Sequence, residues 1–152
     1  MIINKFKNKK VLITGHTGFK GSWLTLFLKI AGAKIMGISL KPSTKPSFFK
    51  AINLSKGIRN NYINILNRRK LENKIISFKP DFIFHLAAQP LITEAYTKSF
   101  LTWETNLIGT INILEIIKKL KKSCTCVLIT SDKCYENIEK RSGYKETDRI
   151  GG

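Results

Sequence analysis

Three glycines, Gly15, Gly18 and Gly21, stand at three-residue spacing between an apolar run and a helix-patterned stretch, and they constrain the fold of this 152-residue chain more than any other feature. The run Lys10-Val11-Leu12-Ile13-Thr14 shows no polar alternation, as expected of a strand buried on both faces of a parallel sheet. From Gly18 to Ala31 the apolar residues Phe19, Trp23, Leu24, Phe27, Leu28 and Ala31 recur at helical spacing, and Gly32 follows as a C-terminal breaker. Residues 34–40 read as a second strand. A strand, a glycine turn, a helix and a second strand form a βαβ unit, whose crossover is right-handed in almost every known sheet.

The rest of the chain repeats the alternation. A proline- and serine-rich loop spans residues 41–47, a weaker strand is expected at 62–66, and a charged helix at 68–78. A fourth strand is expected at 81–86, helical spacing runs over 103–120, and a fifth strand is expected at 124–130. Residues 131–152 read as loop. This order implies the α/β class, with a Rossmann-like doubly wound parallel sheet in one folding unit over residues 1–152.

Composition narrows the function. The net charge is +17, which would attract phosphate polymers if the charge were gathered on one surface. The lysines are instead scattered through every segment, so nucleic-acid binding is not the expected function. Cys124, Cys126 and Cys134 lack zinc-site or thioredoxin-like spacing and read as reduced structural thiols, with no metal expected. No run is long enough to span a bilayer, and the lysine-rich start leads directly into a short strand instead of a signal-peptide core. A cytoplasmic protein with no membrane partner is expected.

A glycine turn between strand and helix is the arrangement that binds a dinucleotide pyrophosphate. Gly15 turns sharply, Gly18 lets backbone N–H groups approach the phosphates, and Gly21 lets the helix pack closely, while the helix N-terminus adds a favourable field. An acidic residue usually meets the adenosine ribose at the end of the second strand, yet Ser39-Leu40-Lys41 stands there, leaving NAD against NADP open. Lys41 is either a contact to a 2′-phosphate or another solvated lysine. The small residues of His85-Leu86-Ala87-Ala88-Gln89 let a flat cofactor lie against a strand end, and His85 reads as a packed, hydrogen-bonded histidine more readily than a catalytic one. Thr130-Ser131-Asp132-Lys133-Cys134-Tyr135 follows strand five with a hydroxyl, a carboxylate and an ammonium together, which suits acid/base chemistry or a structural salt bridge equally.

Taken with residues 10–24, 85–91 and 104–110, the stretch Ser131-Asp132-Lys133-Cys134-Tyr135-Glu136-Asn137 resembles the CDP-glucose 4,6-dehydratases, extended short-chain dehydrogenase/reductases. His16-Thr17-Gly18-Phe19-Lys20-Gly21 is also more specific to them than the general superfamily pattern. The resemblance implies bound NAD, CDP-glucose as substrate, and conversion to CDP-4-keto-6-deoxyglucose by oxidation at C4, loss of water across C5 and C6, and return of the hydride to C6. It implies that Gly15, His16, Thr17, Gly18, Phe19, Lys20 and Gly21 line the cofactor site. Asn64, Ile65, Leu86, Ala87, Ala88 and Gln89 join them, with Asn106 as a buried polar anchor or a structural cap. Ser131 is implied near the sugar 4-hydroxyl, Asp132 at the departing C6 hydroxyl, and Lys133 at the C5 proton.

Three departures accompany the resemblance. Asn64-Ile65-Leu66-Asn67 stands where these enzymes have Asp-Ile-Arg-Asp, and Thr93 stands where an arginine is common. The Tyr-x-x-x-Lys pair, whose tyrosine the resemblance implies as the base for C4 oxidation, is not among the 152 residues. The expectation is a domain incomplete after strand five and its loop, without the C-terminal substrate domain, which binds NAD without turnover; a homodimer is expected of the full-length enzymes.

Overall fold

A computed structural model describes residues 2–131 and 134–151. After a short 3-10 helix at Ile2–Phe6 come β1 (Lys10–Thr14), α1 (Phe19–Ile30), β2 (Lys34–Ser39) and α2 (Phe48–Ala51). Next are β3 (Arg59–Tyr62), α3 (Arg68–Phe78), β4 (Phe82–His85), α4 (Ile92–Thr97) and α5 (Ser99–Trp103). A π-helical turn at Glu104–Ile108 joins α5 to α6 (Gly109–Lys118), and β5 (Thr125–Leu128) follows.

The five strands form one sheet in the order β3-β2-β1-β4-β5, all neighbours parallel, so the α/β doubly wound expectation holds. β1 is central: Val11 pairs with Ile35 on one side and Phe82 on the other. That position explains its unbroken apolar sequence, since Val11, Leu12 and Ile13 are fully buried. The strand alternation sends Leu12, Met36, Ile38 and Ile83 to one face, where α3 (Leu71, Ile75, Phe78) and α6 (Ile113, Ile116) cover them. Val11, Ile13 and Ile35 face the other side, under Leu28 and Leu24 of α1 and Phe6. Each fully buried side chain stabilises by about 1.5–3 kcal/mol against its exposed state.

The third strand lies earlier than the sequence pattern places it, at Arg59–Tyr62 instead of 62–66. Strand formation there is decided by backbone pairing with β2, Met36 opposite Arg59 through Ser39 opposite Tyr62. As an edge strand it needs no apolar signature, and its residues are polar. The apolar Ile63 and Ile65 that attracted the expectation lie beyond the sheet and pack into the core under α6. The helix expected over 103–120 begins earlier, at Ser99, and contains the π turn, while α2 and α4 were not expected. Both α4 and α5 bury no residue, so neither has an inward stripe for periodicity to detect. Residues 134–151 contain one isolated antiparallel bridge, Tyr135 with Ile150, in otherwise irregular chain.

Candidate functional site

The loop after β1 folds against the end of β4. Gly15 has φ +74°, and a Cβ there would stand 2.8 Å from the Ala87 nitrogen and the Leu86 carbonyl carbon, so only glycine permits both the turn and the approach. A Cβ on Gly21 would overlap the Gly15 carbonyl oxygen, which seats the first turn of α1 on the loop itself. Gly18 is the N-cap of α1 and caps it with no side chain. The opening N–H groups of α1 thus meet the carboxyl edge of the sheet beside an exposed Gly18, where a helix dipole favours an anion.

The remaining loop residues divide by direction. Thr17 Oγ1 lies 2.7 Å from Ser39 Oγ and donates to the Leu40 carbonyl at 3.0 Å, tying the loop to the end of β2. Ser39 is therefore engaged where a ribose-binding carboxylate is usual, and Lys41 is exposed. Phe19 and Lys20 are exposed on the first turn of α1. His16 turns inward and is fully buried. Its ring fills the space over Gly37, meets Phe49 edge-on at 5.2 Å, and places Nε2 2.6 Å from Asn60 Oδ1. Burial holds its pKa below the ordinary histidine value, with the Asn60 bond opposing that shift.

At the end of β4, Leu86 N–H donates to the Thr14 carbonyl at 3.1 Å and Ala87 N–H to Thr14 Oγ1 at 3.2 Å. Gln89 is gripped by Asn106 from the π turn: Gln89 N–H donates to Asn106 Oδ1 at 2.8 Å, and Asn106 Nδ2 donates to the Gln89 carbonyl at 3.1 Å. Asn106 is exposed, which corrects the expectation of a buried anchor. It works as a clamp on Gln89, four residues beyond the end of β4. Gln89 Nε2 donates to Thr102 Oγ1 and the Leu91 carbonyl, both at 3.0 Å, which fixes the start of α4.

His85 is buried between Thr14 and Thr110, as the packed reading expected. Burial lowers its pKa to about 4, so it is neutral at pH 7. Asn64 lies exposed beyond β3, and its Oδ1 accepts from Leu66 N–H at 2.9 Å in a local turn. Ile65 is buried, and its carbonyl accepts from Asn112 Nδ2 at 3.1 Å. Thr14, Thr102, Thr110 and Asn112 were given no role from the sequence. Only Thr110, one helical turn after Asn106, carried a spacing signal.

Ile129 N–H donates to the His85 carbonyl, so Thr130 and Ser131 leave the sheet at the same carboxyl edge as Gly15 and Leu86. Ser131 is exposed there. Asp132 and Lys133 lie outside the described residues. Cys124 and Cys126 carry unpaired thiols, and burial raises the Cys126 thiol to about 11, away from nucleophilic use. No helix among the described residues is long and apolar enough to cross a membrane.

The profile of the GDP-mannose 4,6 dehydratase family matches residues 12–151. A CDP-glucose 4,6-dehydratase of Salmonella typhimurium is 43% identical over 149 residues, 98% of this chain and 42% of that enzyme. The chain thus spans about two fifths of the length of that relative. Among solved structures, an epimerase from Methanothermobacter thermautotrophicus superposes with a TM-score of 0.80 at 23% identity, over 98% of this chain and 43% of its own. A UDP-glucose 4-epimerase from Stenotrophomonas maltophila, with bound NAD and formylated UDP-arabinopyranose, does so with a TM-score of 0.79 at 19% identity, over 95% and 43%. These likenesses confirm the Rossmann-like fold.

Proposed function

Because the chain belongs to the GDP-mannose 4,6-dehydratase family, we propose that it is the NAD-binding part of a nucleotide-sugar 4,6-dehydratase, a lyase, acting on CDP-glucose in the cytoplasm. The observation that carries this reading is the glycine loop: an α1 N-terminus without a side-chain cap, held by Gly15 and Gly21 against the end of β4. That cradle fits a pyrophosphate, since backbone N–H groups and the helix dipole are offered where no side chain intrudes. Gly15, Gly18 and Gly21 form its floor, and Thr17, Phe19 and Lys20 its rim. His16 supports the cradle from beneath. The cofactor edge is formed by Leu86, Ala87, Ala88 and Gln89 with Asn106, and Asn64 and Ile65 lie toward the adenine.

Bound NAD would supply a hydride acceptor and, later in the cycle, the same hydride as donor. The chain's own residues orient the sugar and move protons. Ser131 hydrogen-bonds near the sugar 4-hydroxyl, Asp132 delivers a proton to the departing C6 hydroxyl, and Lys133 stands where the C5 proton is removed. The identity with the Salmonella typhimurium enzyme supports CDP-glucose over other nucleotide sugars. A homodimer belongs to the same reading. It is supported by the exposed apolar stripe Phe100, Trp103, Leu107, Ile111 and Leu114 along α5, the π turn and α6.

Isothermal titration of the purified chain with NAD and, separately, NADP, alongside thermal unfolding, tests the proposal. Saturable NAD binding with a raised midpoint is expected, because a ligand bound only by the folded state stabilises it. Absence of binding overturns the reading. CDP-glucose should not be turned over by these 152 residues alone, since the Tyr-x-x-x-Lys pair is missing from them. Detection of CDP-4-keto-6-deoxyglucose would refute that expectation.

A further inference from the structure

A chain of two hydroxyls and one imidazole, buried at Thr14 and His85 and half-buried at Thr110, links the end of β1 to the π turn. Thr14 Oγ1 lies 2.6 Å from His85 Nδ1 and accepts from Ala87 N–H at 3.2 Å. His85 Nε2 lies 3.1 Å from Thr110 Oγ1, which donates to the Asn106 carbonyl at 2.7 Å. A threonine hydroxyl has a single hydrogen. Thr110 directs its hydrogen to Asn106, so its oxygen can only accept from the ring, and the ring proton must reside on Nε2. Nδ1 is then the acceptor, and Thr14 donates to it while receiving Ala87. Each group is satisfied in this one arrangement. With Nδ1 protonated instead, the Thr14 hydrogen would lose the ring as its acceptor.

We propose that His85 is a positioning residue, held as the neutral Nε2–H tautomer, that couples the strand end before the glycine loop to the π turn clamping Gln89. Thr14 directly precedes Gly15, the backbone of Ala87 packs on Gly15, and Asn106 holds both backbone groups of Gln89. The strand end before the glycine loop and the turn that holds Gln89 are therefore bonded through one ring. The consequence for ligand binding rests on the NAD reading above, whereas the tautomer and the coupling stand on these contacts alone.

Side-chain nitrogen–proton NMR correlation of the isotopically labelled 152-residue chain at pH 7 should show a neutral His85 ring protonated on Nε2. A ring protonated on Nδ1, or on both nitrogens, overturns the proposal. Thr110→Val removes the acceptor at Nε2 without changing the ring, and Thr110→Ser restores it. NAD should bind Thr110→Val about tenfold more weakly, the scale of one lost hydrogen bond, and Thr110→Ser within about twofold of the parent. Equal affinity of Thr110→Val and the parent, or equal impairment of both variants, counts against the coupling. Amide hydrogen exchange at Ala87 and Gln89 decides the matter should the parent chain bind no NAD, an outcome that sinks only the functional reading. Thr110→Val should speed exchange at both amides and Thr110→Ser should not; unchanged exchange in Thr110→Val overturns the coupling.

Discussion

The glycine-loop half of the sheet and the strand-five half share one carboxyl edge, yet they are held in different ways. Around β1 and β2 the strands are flanked on both edges, Val11, Leu12, Ile13 and Ile38 are fully buried, and the loop is pinned at Gly15, Thr17 and Gly21. β5 has a single neighbour and no buried residue, with Val127 and Ile129 exposed. Among the described residues 134–151, contacts within the segment are prominent. Tyr135 stacks on Tyr144 at 5.3 Å, Glu136 pairs with Arg149, and Lys140 pairs with Asp148. The difference teaches that the glycine loop and the segment entered at Ser131 sit on supports of unequal strength, one locked between buried strands and the other leaving an edge strand that buries nothing.

The sharpest way to break this comparison is a pair of glycine substitutions. Gly21→Val forces a side chain into the Gly15 carbonyl and should cost at least about 3 kcal/mol in urea unfolding. Gly143→Ala, in open space in the tail, should stay within about 0.5 kcal/mol. Equal costs would erase the distinction.

Acid should separate the halves next. The folded pKa of His85 is about 4 against an ordinary 6.5, so the unfolded chain binds the extra proton between those values. Stability is therefore lost as pH falls from about 6.5 to about 4, by roughly 3 kcal/mol, with no further loss from this group below that. Buried His16 shifts in the same direction. In the tail, Lys140 and the Lys145 N–H hold Asp148 below the usual carboxylate value, so its contribution is present above that value and is lost as the pH falls through it and below. A melting midpoint constant from pH 7 to pH 4.5 would contradict the histidine assignment.

Asn106→Ala removes both bonds to Gln89 and should weaken NAD binding about fivefold, at roughly 1 kcal/mol of stability, read by titration and denaturant melts. Retained affinity would show that the clamp does not shape the cofactor edge. The smallest effect is expected from Tyr144→Phe, which loses the bond from Ile138 N–H and the donation to Asn137. Global stability should change by less than about 0.5 kcal/mol, while the Ile138 amide exchanges faster. A large global loss would mean that the tail supports the sheet.

Legibility followed burial. β1, α1 and β2 were readable because central strands and a helix with an inward stripe leave an apolar record, and Gly15 and Gly21 because their backbone geometry excludes other residues. α3 was readable from its pattern, and Asn67 caps it by accepting from Lys70 N–H. β3 was misplaced because a polar edge strand exists through pairing with β2 and not through its side chains. α4, and the start of the following helix at α5, were missed because those residues bury nothing. Among candidate-site residues, the loop and the His85–Gln89 run were named from sequence, whereas Thr14, Thr102, Thr110 and Asn112 were given no role, since a threonine or asparagine does not announce its distant partner.

The sequence by itself determined the α/β class, the βα unit with its glycine turn, and the kinship that points to a nucleotide-sugar dehydratase. These are local patterns, set by period, apolar runs and excluded Cβ atoms within a few residues. Only the tertiary structure decided that His16 lies under the loop against Gly37 and Asn60, that Asn106 grips Gln89 from an exposed π turn, and that Thr14, His85 and Thr110 form one hydrogen-bonded chain. Contacts spanning 17 to 71 residues arise when strands are ordered in a sheet and a helix is laid across it. That order is settled by burial and backbone pairing of the whole chain, which no short window of sequence contains.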